Sequence, residues 1–124
     1  MCVIVLYTPG TRTALNAPSG VSSYDASGSF YVSDTLNRVV RRVYPNGTTR
    51  IVAGKLGLQG STGNMVAGTA ALLNFPRGII ISGGNIVIAD SGAHSVRILY
   101  ANQTLATLAG IGSSGYSGDG GLGE

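Results

Sequence analysis

Residues 31–54, with the sequence YVSDTLNRVVRRVYPNGTTRIVAG, recur in diverged form 56 residues further along the chain, where residues 87–110 read VIADSGAHSVRILYANQTLATLAG. Acidic, aliphatic, basic and aromatic residues recur in the same order: Asp34 with Asp90, Val40 with Val96, Arg41 with Arg97, and Tyr44 with Tyr100. Both stretches end in Ala-Gly. A long match at one fixed spacing indicates an internal structural repeat, and it determines how the rest of the chain divides.

The repeat extends beyond these two stretches in both directions. Upstream, TRTALNAPSGV (11–21) aligns with TAALLNFPRGI (69–79), and downstream GSTGNMVAG (60–68) resembles GYSGDGGLG (115–123). The sequence therefore predicts three segments: an unmatched N-terminal strand at 1–10, a first unit at 11–68, and a second unit at 69–124 that ends in the loop to a third unit.

Each unit contains four short apolar segments separated by turn-forming sequences. The predicted strands of the first and second unit are 20–24 and 78–82, 29–33 and 85–89, 38–44 and 95–100, and 48–53 and 104–109. Only TAALLN (69–74) favours a helical turn, which Pro76 would end. Four antiparallel strands in a recurring unit describe a β-propeller blade. We therefore expect an all-β fold with two blades in an open, incomplete ring.

The composition agrees with sheets joined by tight turns. The 124 residues include 20 glycines, and 44% of them are hydrophobic while only 10% are charged. The apolar content excludes a disordered chain, the glycines lack the three-residue period of collagen, and the heptads of a coiled coil are missing. Because segments such as IVIA (86–89) do not alternate between apolar and polar residues, both faces of each sheet are expected to be covered.

The chain resembles the NHL-repeat family of β-propellers over residues 11–124. The shared motifs are Pro-x-Gly-(Val/Ile) at the first strand, an aliphatic strand ending in Asp, a basic-aliphatic third strand and the glycine-rich loop GYSGDGG (115–121). The loop of the first unit, GSTGNMVAG, lacks the tyrosine, the aspartate and the paired glycines.

The resemblance implies a segment that serves as a protein-interaction or scaffold module and is not an enzyme. Two alternatives stay open. One is an RNA-binding propeller face, and the other is a fragment of a propeller enzyme whose catalytic residues lie in missing blades. All three rest on analogy between folds and not on the chemistry of a site.

Three pairs of recurring residues are interpreted as structural: Gly20 with Gly78, Asp34 with Asp90, and Arg41 with Arg97. The aspartates end the second strand of each unit and are expected to accept backbone N–H groups in Asx-type turns. The arginines lie in the third strand and are expected to hold a cross-strand partner at the blade edge. The glycines are expected to permit close backbone approach near the centre of the propeller.

The net charge of +3 comes from eight basic and five acidic residues. Arg38, Arg41 and Arg42, followed by Arg50, form the candidate basic surface for RNA. A short basic run is more often a solvated face or a set of salt bridges. The dense basic patches with exposed aromatic residues that are typical of nucleic-acid proteins are missing. A protein partner is therefore favoured over RNA.

Residue patterns that would indicate catalysis or cofactor binding are incomplete, so we predict no catalytic residue, no metal site and no cofactor. GIGSSG (110–115) fits G-x-G-x-x-G, but the glycine-rich sequence after it cannot form the helix of a dinucleotide site. Asp119 is too isolated for calcium, which needs about six oxygen ligands. His94 follows Asp90 by four residues, but Arg38 holds its position in the first unit, so a solvent-facing turn histidine is favoured.

Asn46-Gly-Thr48 and Asn102-Gln-Thr104 are N-glycosylation sequons at matching places in the two units. Asn in a two-residue hairpin loop also tolerates positive φ, which explains the recurrence without a glycan. The lone Cys2 excludes an internal disulfide, and we predict neither a membrane span nor a signal peptide. The compartment stays open, with only the sequons to favour an extracellular location.

Two blades cannot close a ring, and each leaves a broad apolar face exposed. We therefore expect either further blades in a longer protein or self-association. Three copies would give six blades, within the range of about four to eight that propellers show. The strand CVIVLY (2–7) is expected to pair with the open edge of a neighbouring blade.

Overall fold

A computed structural model describes residues 8–9, 14–60 and 62–110. Within these residues the first sheet contains β1 (Thr8–Pro9), β2 (Pro18–Val21), β3 (Phe30–Asp34), β4 (Val39–Val43) and β5 (Thr48–Gly54). The second contains β6 (Val66–Ala67), β7 (Pro76–Ser82), β8 (Asn85–Asp90), β9 (Ser95–Leu99) and β10 (Thr104–Ala109).

The two sheets have the same topology. Their strand orders are β1-β5-β4-β3-β2 and β6-β10-β9-β8-β7, and all the paired strands are antiparallel. The prediction of an all-β fold with open, propeller-like sheets is confirmed, and the four predicted strands of each unit are present within a few residues. The strand CVIVLY lies outside the described residues.

Each sheet also has a short fifth strand, and only the one at Thr8–Pro9 falls within a segment, residues 1–10, for which the sequence predicted a strand. Thr8–Pro9 pairs with β5, and Val66–Ala67 pairs with β10 at the corresponding edge. Val66–Ala67 lies in the first sequence unit but belongs to the second sheet. A two-residue strand carries too little sequence pattern to be recognised without its partner.

Short 3₁₀ turns connect β3 to β4 (Thr35–Asn37) and β8 to β9 (Ser91–Ala93). These turns end at Arg38 and His94, whose φ angles of 66° and 53° are left-handed. A third turn, Gly68–Ala70, includes only the first two residues of TAALLN and ends before Ala71, so the helical turn that the sequence favoured for residues 69–74 begins earlier and does not extend to Pro76. Equivalent turns at equivalent places show that the repeat includes the connections as well as the strands.

The ladder register defines two faces on each sheet, because residues directly opposite one another point to the same side. Face A of the first sheet contains Val21, Val32 and Arg41, which lie in one row across β2, β3 and β4. Face A of the second sheet contains the corresponding row, Ile79, Ile88 and Arg97. Face B is the opposite side of each sheet, with Tyr31 and Val40 in the first sheet and Val87 and Val96 in the second.

The core lies between face B of the first sheet and face A of the second. It joins Tyr31, Val40, Val52 and Ala53 of the first sheet with Ile79, Ile86, Ile88, Leu99 and Leu105 of the second, and with Ala71 and Leu73 before β7. Each large aliphatic side chain buried here contributes about 1.5–3 kcal/mol of hydrophobic stabilisation. Polar contacts align the seam: the Ser33 hydroxyl donates to the Arg77 carbonyl, and Thr35 Oγ1 donates to the Pro76 carbonyl at 2.7 Å.

Candidate functional site

Three loop segments meet at one end of the first sheet. The Leu36 N–H donates to the carbonyl of Asn16 at 3.0 Å, and the Gly57 N–H donates to the carbonyl of Asn37 at 2.9 Å. These bonds bring together the segment before β2, the 3₁₀ turn after β3 and the loop after β5. Each segment carries at least one exposed leucine. We call these four residues the leucine rim: Leu15, Leu36, Leu56 and Leu58.

Asp34 organises two of these segments. Its carboxylate accepts the Asn16 N–H at 2.7 Å and the Asn37 side-chain amide at 2.8 Å. The third segment is a tight turn, in which the Leu58 N–H donates to the Lys55 carbonyl at 3.0 Å. The leucines of the rim are 43–56% exposed even though their backbone is fixed by these bonds.

The repeat does not require the leucine rim. Leu73 matches Leu15 in sequence but is fully buried, because its side chain packs in the core between the blades. Gly92 matches Leu36, and a Cβ at Gly92 would overlap the side chains of Asn74 and Phe75. The rim was not predicted from the sequence, although apolar residues at loop positions in LNAP, TLN and KLGLQG were the available signal.

Asp34 and Asp90 hold the chain that enters the first strand of each sheet. The Asp90 carboxylate accepts the Asn74 N–H at 3.0 and 3.1 Å, which matches the bond from Asn16 to Asp34. The expectation of local Asx-type turns is wrong, because the two carboxylates accept backbone N–H groups from residues that lie 18 and 16 positions earlier in the chain. Burial raises the pKa of the Asp90 carboxyl, although the N–H groups of Asn74 and Phe75 and the charge of Arg97 oppose that rise.

Arg41 and Arg97 occupy matching positions but bind different partners. Arg41 Nε donates to Asp34 Oδ2 at 2.9 Å in a buried cross-strand ion pair, but β4 is the central strand of the sheet and not the blade edge that the sequence suggested. Arg97 is fully buried, and its Nη2 donates to the Gly63 carbonyl in the loop between the sheets. Burial lowers the pKa of Arg97, and the charge of Asp90 opposes that change.

Gly20 and Gly78 also differ. A Cβ at Gly20 would overlap the carbonyl oxygen of Arg77 on β7 and crowd the Ser33 hydroxyl, so β2 and β7 approach closely there. At Gly78 the nearest atom to such a Cβ is the Ala89 Cβ at 3.6 Å, which is ordinary contact. The expected close backbone approach is therefore present at Gly20, where the second sheet covers the strand, and absent at Gly78.

The candidate basic surface does not form one patch. Arg41 and Arg42 are neighbours on β4 and point to opposite faces, and Arg41 is buried with Asp34. Arg38 Nη1 donates to the Asn74 carbonyl at 2.9 Å. Only Arg42 and Arg50 come together, since they lie opposite each other in the β4–β5 ladder.

Arg38 and Arg42 also contact aromatic rings. The Arg38 guanidinium carbon lies 4.0 Å from the ring centre of Phe75, which joins the two sheets. The Arg42 guanidinium carbon lies 4.6 Å from the ring centre of Tyr44. Arg42 also forms a 3.4 Å ion pair with Asp25. Burial works against the charge of Asp25, but hydrogen bonds from Ser27 and Ser29 hold its pKa below the ordinary value.

The two sequons form similar turns. Asn46 Oδ1 accepts the Thr48 N–H at 3.0 Å and the Thr48 hydroxyl at 2.8 Å, and Asn102 Oδ1 accepts the Thr104 N–H at 3.0 Å. The expectation that the asparagines adopt positive φ is wrong, because Gly47 and Gln103 adopt it instead. Asparagine side chains cap these turns, which is a structural reason for their recurrence.

The described residues contain no group of three or more His, Cys, Asp and Glu side chains that could hold a metal ion. His94 is exposed and ends its 3₁₀ turn in the left-handed conformation. Asp119 and residues 111–115 of the G-x-G-x-x-G match lie outside the described residues. Among residues 8–9, 14–60 and 62–110, no helix is long and apolar enough to cross a membrane.

The stacked antiparallel sheets define this chain as a pair of β-propeller blades. Residues 73–99, from Leu73 to the end of β9, match the NHL repeat. The resemblance seen in the sequence is therefore confirmed for residues 73–99 of the second blade. No curated protein matches the chain.

Solved structures share this fold at low sequence identity. A structural genomics protein of unknown function from Bacteroides thetaiotaomicron has a TM-score of 0.58 and 24% identity, over 77% of this chain and 22% of its own length. An auxiliary nutrient binding protein from the same species gives 0.62 and 22%, over 76% and 26%. Another, from Bacteroides ovatus, gives 0.59 and 21%, over 70% and 24%. The chain thus spans about a quarter of the length of these proteins.

Proposed function

We propose that this chain is a non-enzymatic binding module that contacts a protein partner through the leucine rim. The observation that carries the proposal is the meeting of four exposed leucines on three hydrogen-bonded loops at one end of the first blade. Single exposed apolar residues are ordinary on protein surfaces, whereas clustered ones indicate an interaction site.

The position of the rim supports the same function. Loops held by a rigid scaffold commonly carry binding residues, and Asp34 fixes two of the three loops through hydrogen bonds. The rim is absent from the matching place in the second blade, where Gly92 replaces Leu36. Packing of the repeat therefore gives no reason for the rim. Two proteins of similar fold are named as nutrient binding proteins, which favours binding as the class of function.

An RNA-binding face is the weaker candidate. Arg38 and Arg41 are engaged with Asn74 and Asp34 inside the molecule, and Arg42 is paired with Asp25. Each phosphate contact needs a free cationic group, so few contacts are available. A propeller enzyme is the other alternative, and it would draw its catalytic residues from blades beyond the described residues.

Selection from a displayed peptide library, with the immobilised chain as bait, tests the proposal. We expect enriched apolar peptides whose binding is lost in the double variant Leu36→Asn and Leu56→Asn. The matched control is Met65→Gln, since Met65 is an exposed apolar residue whose backbone N–H binds the Leu105 carbonyl of the second sheet and not the loops of the rim. Circular dichroism confirms that each variant is folded.

Equal binding by the rim variant and the wild-type chain would contradict the proposal, as would a selection with no enriched peptide. Single-stranded RNA is tested in parallel. RNA binding that weakens steeply with added salt and survives the rim substitutions would favour the RNA alternative.

A further inference from the structure

Two arginines lie side by side on the first sheet, away from the leucine rim. Arg42 is near the end of β4 and Arg50 is near the start of β5, whereas the rim lies at the other end of these strands. The two residues are direct partners in the ladder, so their Cβ atoms are about 4.5–5.5 Å apart on face B. Like charges directly opposite each other destabilise a sheet. The pair therefore needs a negative charge close to both guanidinium groups.

Asp25 supplies only part of that charge. Its Oδ2 lies 3.4 Å from Arg42 Nη2, which is longer than an ordinary N–H···O hydrogen bond. Among residues 8–9, 14–60 and 62–110, Arg50 forms no ion pair. Within the same described ranges, the Nε atoms of both arginines are buried without a hydrogen-bond partner. Two guanidinium groups thus share this part of the sheet with one carboxylate, and one positive charge is left uncompensated.

The repeat does not require these charges. In the second blade, the row that matches the two arginines across β8, β9 and β10 is apolar and contains Val87, Ile98 and Ala106. The β2–β3 hairpin that carries Asp25 is replaced there by a shorter turn, Gly83-Gly84, with no acidic residue. A blade therefore forms without this cluster, so packing of the repeat does not explain why the first blade keeps two adjacent cations.

The Arg42 side chain is held in position before any ligand arrives. Its guanidinium carbon lies 4.6 Å from the ring centre of Tyr44 and 5.8 Å from that of Tyr31, and its Nη2 donates to Ser27 Oγ at 3.0 Å. The side chain is nevertheless 22% exposed, so part of it is open to solvent. An arginine that is already ordered loses less conformational entropy when it binds an anion.

We propose that Arg42 and Arg50 bind the carboxylate group of an organic acid. The planar fork of a guanidinium group matches the two oxygens of a carboxylate. A single negative charge compensates the positive charge that Asp25 leaves, whereas a dianion such as sulfate would bring a second negative charge close to Asp25. This site lies apart from the leucine rim, so the proposal does not depend on the proposed function.

Titration with sodium acetate at constant ionic strength and neutral pH, followed by the NMR signals of the arginine Nε–H groups, tests the site. Arg50→Gln should weaken acetate binding about tenfold, because one charged hydrogen-bond donor is lost. Asp25→Asn should strengthen it about two- to fivefold, because the competing charge is removed. Asparagine keeps the Oδ1 acceptor that binds Ser27 and Ser29, so the hairpin is preserved. The matched control is Arg77→Gln, which removes the same charge from an exposed arginine of the second sheet and should leave binding unchanged.

A wild-type chain whose arginine signals show no saturable shift overturns the proposal, and so does weaker binding by Asp25→Asn. Sulfate that binds more tightly than acetate also overturns it, because the site would then favour a dianion. N-acetylglycine and glucuronate extend the series to a peptide-like and a sugar-like carboxylate, and tighter binding of one of them identifies the source of the group. The rim variant Leu36→Asn with Leu56→Asn should bind acetate like the wild-type chain, which separates this proposal from the proposed function.

Discussion

Substitution of Gly20 by alanine should destabilise the chain through the seam between the blades. The added Cβ would overlap the carbonyl oxygen of Arg77, a backbone atom that cannot move without shifting β7. It would also crowd the Ser33 hydroxyl, which donates to that same carbonyl. Gly20 has no left-handed φ, so the backbone itself accepts alanine and the effect comes from packing alone.

The expected loss of stability follows from three contributions. Overpacking of a dense interior costs about 1–3 kcal/mol, and the lost hydrogen bond costs about 1 kcal/mol more. Alanine restricts the unfolded chain more than glycine does, and this offsets about 0.4–1 kcal/mol of the lost stability. The free energy of unfolding should therefore fall by about 1–3.5 kcal/mol, which is a large part of the roughly 5–15 kcal/mol available to a domain.

Gly78→Ala is the matched control, because it makes the same chemical change at the same place in the repeat. Its new Cβ meets only the Ala89 Cβ in ordinary contact. The control should be neutral or more stable by up to about 1 kcal/mol. Urea denaturation followed by circular dichroism, at a concentration where light scattering shows a single species, measures both variants.

Equal destabilisation by the two substitutions would refute this reasoning. It would mean that both glycines are required by the strand itself, and that the contact between β2 and β7 does not set the tolerance. A neutral Gly20→Ala variant would refute it as well, since the two blades would then not be in close contact at Gly20.

Two further predictions concern single side chains. Burial raises the pKa of the Asp90 carboxyl above its ordinary value of 3.8, so the folded state binds the carboxyl proton more tightly than the unfolded state does. The stability that protonated Asp90 contributes is therefore complete below pH 3.8 and is lost as the pH rises through the raised pKa. The unfolding free energy of the wild-type chain relative to Asp90→Asn should fall over that interval in urea titrations, and a difference that rises with pH would contradict the assignment. His94→Gly should raise the urea midpoint, with a gain of about 0.5–1 kcal/mol from relief of the left-handed backbone. Arg38→Gly, at a similar φ, should give no gain because it removes the contacts with Asn74 and Phe75; equal gains would contradict that explanation.

Much of the fold could be read from the repeat. The two matched stretches predicted strands β3, β4 and β5 and their counterparts β8, β9 and β10 within one or two residues. Turn sequences at fixed offsets set the ends of these strands. The two-residue strand Val66–Ala67 could not be predicted, since its only signal is the neighbouring strand to which it binds.

The candidate site was less predictable. Asp34 and Asp90 were recognised as recurring residues, but their long-range bonds to Asn16 and Asn74 were not. The arginine run suggested a surface, yet adjacent residues of a strand point to opposite faces and one of them is buried. The leucine rim was missed because its members lie far apart in sequence and meet only through loop hydrogen bonds.

Sequence alone determined that this protein is built from two equivalent β units, because strand and turn signals are local and recur at a fixed spacing. It could not determine which copy of each repeated residue is covered. Gly20 and Gly78, or Val21 and Ile79, are equivalent in sequence but differ in environment. Tertiary structure decided that difference, since stacking gives one sheet a neighbour on face B and the other a neighbour on face A. Burial depends on which sheet lies across the interface, and no local pattern encodes that neighbour.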